Sequence, residues 1–166
     1  MARIAVQREP FDIAAELAAL TGKRRGIGAI VSFSGLCRDE GGALAALEIE
    51  HFPGMAEQEI ARVVGEAERR WPLLGVSVIH RYGRIAPGEE IVLVIVASEH
   101  RADAFAAADF LMDYMKSRAP FWKREHHRDG TVGGWVAAKE SDASALARWD
   151  LEEPRRLSAA HDRRSR

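Results

Sequence analysis

The chain has 166 residues, 47% of them hydrophobic, enough for one domain with a substantial core and too few for two comfortable ones. Its 24 Lys and Arg against 25 Asp and Glu leave a formal charge of −1, which excludes the global positive field that non-specific binding of nucleic acid or an anionic membrane requires. A single cysteine, Cys37, excludes an intrachain disulfide and a multi-cysteine zinc site, and it predicts a reducing, cytoplasmic setting.

The N-terminus, Met1 to Val6, lacks a signal-type apolar core, and the longest apolar run, Ile91 to Ala97, is too short to span a bilayer. Pro10 to Leu20 predicts a short helix, with Phe11, Ala14, Leu17 and Ala18 on one face, ended by the glycines at 22 and 26. Ile27 to Phe33 predicts a buried strand, followed by a polar, glycine-bearing loop from Ser34 to Gly42 that carries Arg38. Leu44 to His51 predicts a second strand, closed by a turn at Phe52-Pro53-Gly54.

Met55 to Trp71 predicts an amphipathic helix whose buried stripe is Ile60, Val63, Val64, Ala67 and Trp71, and Pro72 stops it. Strands follow at Gly75 to Tyr82 and Glu90 to Ser98, the second apolar enough to be central in a sheet. The next helix, about Glu99 to Ser117, presents Phe105, Ala108, Met112 and Met115 as its inward stripe. After Pro120 the chain is extended, turns at Asp129-Gly130 and forms a last strand from Thr131 to Lys139. The charged segment after Trp149 predicts a disordered tail. Helices set between pairs of strands predict an α+β fold: a mixed, largely antiparallel sheet packed with helices, in one domain over residues 1–149 with a tail over 150–166.

The chemistry concentrates in one stretch. Lys116, Arg118, Lys123, Arg124 and Arg128 crowd a short segment around Ala119-Pro120-Phe121-Trp122, with Glu125 among them. A proline and two aromatics can fix cations that flank them, and fixed cations suit an anionic substrate. Like charges nearby favour a neutral amine, the form that acts as base or nucleophile. Each lysine also has a plain explanation, since a cation near a helix C-terminus stabilises the helix. An extended run of seven residues spans about 23 Å, so only a chain reversal brings Lys116 and Lys123 together.

Ser98-Glu99-His100-Arg101 marks a strand-to-helix junction. There His100 and Arg101 can assist a helix N-terminus in binding phosphate, or Ser98 can cap the helix while both basic residues face solvent. Met112, Met115, Phe121 and Trp122 read as packing or interface residues. His51, His80, His126 and His127 lack ligand-like spacing with cysteine or carboxylate, so no metal is expected. Cys37 has Arg38 beside it, yet a lone cysteine of this kind is more often incidental.

Eight ordered blocks resemble the large, catalytic subunit of molybdopterin synthase, the MoaE family, from about Ile27 to Trp149. They are Phe33 to Arg38, Leu47 to Met55, Arg70-Trp71-Pro72, Val78 to Gly83, Pro87 to Glu90, Ser98 to Arg101, Met112 to Glu125, and Trp135 leading to Glu140-Ser141-Asp142. The Ala119-Pro120-Phe121-Trp122-Lys123 block is the most specific.

The resemblance implies an α/β hammerhead fold and a homodimer of large subunits. It also implies a small ubiquitin-like sulfur-carrier subunit of the MoaD type docked on each, giving a heterotetramer. The carrier's C-terminal Gly-Gly, activated as a thiocarboxylate, would donate sulfur to cyclic pyranopterin monophosphate, and two transfers would build the dithiolene of molybdopterin. No further cofactor is implied. The family's pocket corresponds here to Arg38, His100, Arg101, Lys116, Lys123, Arg124, Glu125 and Lys139, with Phe33 and Met112 beside it. Lys116 and Lys123 are the expected catalytic residues.

Sulfur carried by the partner makes Cys37 dispensable. Three positions depart from the family's pattern: Leu36 and Cys37 stand where a basic and then an aliphatic residue are expected, and Lys139 replaces a common arginine, losing its bidentate fork. Two other readings remain distinguishable: a non-catalytic module gripping a ubiquitin-like partner's tail, and a single-stranded nucleic-acid binder using Phe121 and Trp122, which the near-neutral charge opposes.

Overall fold

The computed structural model describes residues 2–22, 24–39, 41–136 and 147–149. Among the described residues the elements run in the order β1 (Ala2–Gln7), α1 (Ile13–Thr21), β2 (Ala29–Leu36), β3 (Leu44–His51), α2 (Met55–Arg70), β4 (Leu73–Arg81), β5 (Gly83–Ile85), β6 (Glu90–Ser98), α3 (Arg101–Ser117), β7 (Phe121–His127) and β8 (Val132–Val136). The expected strand at 131–139 is thus seen as β8, and the tail and Lys139 lie outside the described residues. No helix among the described residues is long and apolar enough to cross a membrane.

The strands form two sheets of four where the sequence suggested one. The first, sheet A, has the order β1-β4-β6-β2; the second, sheet B, has the order β5-β3-β7-β8. Among the described residues only β1 pairs in parallel, with β4, so sheet A is mixed and sheet B antiparallel. β1 escaped the sequence reading because a short edge strand with one parallel partner has no local turn or hairpin to betray it. Its Ile4 and Val6 nevertheless pack on the main core. β5 escaped because three residues carry no periodicity; Gly83, at φ 90°, starts it as the chain leaves sheet A for sheet B.

β4 and β6 are mostly apolar because both of their faces are covered. On one face Val76, Val78, Val92, Val94 and Val96 meet α2 and α3 through Ile60, Val64, Phe110 and Leu111. On the other, Ile79, Leu93 and Ile95 meet Leu17 and Leu20 of α1. α1 starts at Ile13, later than expected, because the Asp12 carboxylate accepts from the Ala14 and Ala15 amides at 2.9 and 3.1 Å. α2 buries the predicted stripe.

α3 differs from expectation on its flank. Phe105 is 64% exposed, whereas Ala104, Ala107, Phe110, Leu111 and Tyr114 join Ala108, Met112 and Met115 in the core. The helix therefore rotates a wide, mostly small-residue face onto the sheet and leaves Phe105 at its edge. Trp149, only 5% exposed, closes this core edge-on against Trp71 and Phe110, and its indole donates to Asp113 at 2.7 Å.

Candidate functional site

Strand register decides which end of the molecule each candidate residue occupies. Ala29 pairs with Ser98 and Leu36 with Glu90, so β2 runs from the start of α3 towards its C-terminal end as α3 folds back over β6. Lys116, on the last turn of α3, consequently lies towards the end of β2 that leads into Arg38. His100 and Arg101 lie at the opposite end, about 22 Å away at ~1.5 Å per helical residue. Within one chain they do not converge on Lys116.

Between α3 and β2 lies an open groove of about 520 Å³, lined by Val31, Ser32, Phe33, Phe105, Ala106, Ala108, Asp109, Met112, Asp113 and Lys116. Phe33, Met112 and Lys116 come from separate stretches of sequence and are brought together here. Phe33 is 39% exposed and Phe105 still more so, giving the groove an aromatic wall, with the Lys116 amine as its cation.

Arg38 is held from behind. The Cys37 amide donates to the Glu89 carbonyl and the Gly88 amide donates to the Cys37 carbonyl, each at 2.8 Å, so the backbone is clamped on both sides. The Cys37 side chain is buried with Leu44, Ile49 and Ile85. It fills an apolar niche as an aliphatic residue would, which accounts for a cysteine where the family resemblance suggested an aliphatic. Burial pushes its thiol pKa up, as do the nearby Asp39, Glu89 and Glu125 carboxylates, so it is poorly suited to act as a thiolate.

The clamp is itself braced by Arg81, 5% exposed, whose guanidinium donates to the Arg8 carbonyl at 3.1 Å and the Glu90 carbonyl at 2.9 Å. Its sequence signal was slight: an arginine ending an otherwise apolar strand.

β7 separates its cations by alternation. Lys123 pairs with Ile49 and Glu125 with Leu47, so these share a face with Phe121, which pairs with His51. Arg124 falls on the other face, where its Nε donates to Glu48 at 2.7 Å and its guanidinium lies over the Trp135 ring. His126 reaches the same Glu48 at 2.5 Å. Arg124 and then His126 hold the Glu48 carboxyl down to about 2. Adjacent basic residues thus do different things: Lys123 faces inward, while Arg124 belongs to an outer-face network with Glu48. Glu125 is exposed, with its carboxylate 3.8 Å from His127.

Beside Lys123, the sequence reading missed His80. Its ring is stacked on Phe121, with centroids 3.7 Å apart, and burial followed by the Lys123 and His51 charges pushes its pKa down to about 3.

At the far end, Ser98 does not cap α3. Its hydroxyl donates to the Pro72 carbonyl at 3.1 Å, and the N-cap is His100, which makes no side-chain capping bond. Gly28 allows the close crossing there, since a Cβ at that position would stand 2.2 Å from the Glu99 carbonyl oxygen. His100 and Arg101 are exposed beside the uncapped amides. Among the described residues, no three His, Cys, Asp or Glu side chains are grouped as a metal site.

The family model described as "MoaE protein" matches residues 6–118. A molybdopterin synthase catalytic subunit of Mesorhizobium japonicum is 66% identical over 146 residues, covering 88% of this chain and 92% of that protein. One from Brucella melitensis is 63% identical over 153 residues, covering 92% and 93%. Among solved structures, a molybdopterin biosynthesis MoaE protein from Burkholderia ambifaria superposes with a TM-score of 0.78 at 46% identity, covering 92% of this chain and 100% of that one.

Proposed function

The chain belongs to the MoaE protein family and does the work of a molybdopterin synthase catalytic subunit, and we propose that it does so with a site built from the α3–β2 groove and the inner face of β7. As a sulfurtransferase of molybdenum-cofactor biosynthesis it moves sulfur from the thiocarboxylated C-terminus of a small ubiquitin-like subunit to cyclic pyranopterin monophosphate. The observation that carries this reading is the shared groove of Phe33, Met112 and Lys116.

A Gly-Gly tail has no side chains, so it suits a groove walled by Phe33, Phe105 and Met112, with its sulfur-bearing end delivered to Lys116. Lys116 then stabilises the charge that develops as sulfur adds to the pterin and serves as the acid or base for the accompanying proton. Lys123 and Arg38 orient the substrate and tail from the side of β7, with Glu125 at their edge. Arg124, held by Glu48, supports the strand from behind. Lys139, outside the described residues, completes the expected set.

His100 and Arg101 enter through the homodimer. Since they stand a helix length from the Lys116 of their own chain, the partner copy supplies its pair to this site, where uncapped amides and two basic side chains hold the substrate's phosphate.

The test is reconstitution: the chain, thiocarboxylated small subunit and cyclic pyranopterin monophosphate are mixed and dithiolene product is measured. Lys116→Ala is expected to lower turnover by at least about 100-fold while leaving assembly with the small subunit intact. Near-normal turnover by that variant contradicts the assignment. Tight binding of the small subunit without product from the unaltered chain would favour a non-catalytic module.

A further inference from the structure

His80 is the last residue but one of β4, at the seam where sheet A meets sheet B, and it is 4% exposed. Its Nδ1 lies 2.8 Å from the Arg81 carbonyl oxygen. A carbonyl only accepts, so Nδ1 carries the proton and Nε2 is left with a lone pair. Phe121 covers the ring, 11° from parallel. Lys123 follows Phe121 by two residues on the same face of β7, a rise of about 7 Å along the strand, and its charge acts on the imidazole that Phe121 covers.

We propose that His80 is a positioning residue for Lys123, presenting the lysine with an unprotonated ring nitrogen, Nε2, that orients the ammonium without adding a second cation. This rests on the reading of Lys123 as a site residue. Among the described residues, the charges that act on the ring are those of Lys123 from β7 and His51 from β3; its neighbours within sheet A, Val6 of β1 and Val92 of β6, are apolar. Burial first, and then those two groups, keep the imidazole neutral, so it stays an acceptor throughout the neutral range. Phe121 fixes the ring plane, and the Arg81 carbonyl fixes the tautomer.

Two measurements on the full chain test the proposal. Nitrogen-15 NMR of labelled histidines is expected to show His80 as the Nδ1–H tautomer, with an Nε2 resonance that moves in Lys123→Met. The other tautomer, or a resonance that Lys123→Met leaves in place, overturns the proposal. In turnover, His80→Phe preserves the stack on Phe121 and deletes the lone pair. It is expected to lower kcat about tenfold with KM little changed, and to move the alkaline limb of the pH profile downward, because an acceptor favours the protonated amine.

His80→Gln, whose side-chain oxygen can stand near the Nε2 position, should recover part of both effects. Wild-type kcat and an unmoved limb in folded His80→Phe overturn the proposal; should that variant not fold, the glutamine variant and the NMR decide. Full turnover by Lys123→Met would instead overturn the site reading of Lys123, with the NMR still judging its contact with His80.

Discussion

The Phe121 ring lies against the His80 imidazole with 3.7 Å between centroids, so the first residue of β7 is fastened to the end of β4 in sheet A. This contact joins the two sheets where the lysine-bearing segment begins. It also makes an ionisable group part of the packing.

Stability should therefore fall on mild acidification. His80 has its folded pKa lowered from 6.5 to about 3, so between those values the unfolded chain takes up a proton that the folded chain refuses. The contribution is intact above pH 6.5 and is lost progressively below it, by up to ~1.4 kcal/mol per pH unit. Glu48, lowered from 4.5 to about 2, adds a loss of the same sign only below 4.5, so the window between 6.5 and 4.5 separates the His80 contribution from that of Glu48. Urea unfolding across that window should show the slope in the native chain and a flatter one in His80→Phe; equal slopes would refute the assignment.

Two phenylalanines five residues apart on α3 should behave oppositely. Phe110, fully buried against Trp71 and Trp149, should cost about 3–5 kcal/mol on truncation to alanine. Phe105→Ala should stay within about 0.5 kcal/mol, because that ring is mostly in solvent. Chemical denaturation measures both. The same Phe105→Ala chain should need more small subunit for half-maximal turnover if the groove receives the tail.

Cys37→Ala should retain turnover, since the thiol is buried among Leu44, Ile49 and Ile85 and disfavoured as a thiolate. Cys37→Ser should also turn over but lose about 1–3 kcal/mol of stability for placing a hydroxyl in that niche. Complete loss of activity in a folded Cys37→Ala protein would point to a persulfide route.

Complementation tests the shared site. Chains carrying Lys116→Ala and chains carrying His100→Ala should each be strongly impaired alone. Mixed and allowed to exchange, they should regain roughly a quarter of native activity, because half of random dimers are mixed and each of those has one intact site. No recovery in dimers shown to be mixed would place both residues of a site on one chain.

Much of the fold was legible in the sequence wherever a single element carries its own signal. The stripe of α2, the bounds of β3 and β6, and the turn at Gly54 follow from periodicity and turn chemistry, which are properties of neighbouring residues. Motif order likewise pointed to Phe33, Met112 and Lys116, and the groove unites them.

Other features depended on which elements meet. Nothing near Ala2–Gln7 announces a parallel partner in β4 more than sixty residues away. Phe105 matches helical spacing for burial, yet it stands at the flank because α3 turns a broader alanine-rich face to the sheet. Lys123 and Arg124 are neighbours of like charge in sequence, but pleating sends one towards His80 and the other to Glu48. His80 itself reads as one more residue of an apolar strand, and only the seam between the two sheets makes it a neighbour of Lys123. Sequence by itself determined the family, the main helices and strands and the candidate cations, because local patterning encodes them. Tertiary structure decided which cations share a face and which residue stands behind each, because those contacts depend on strand register and sheet packing.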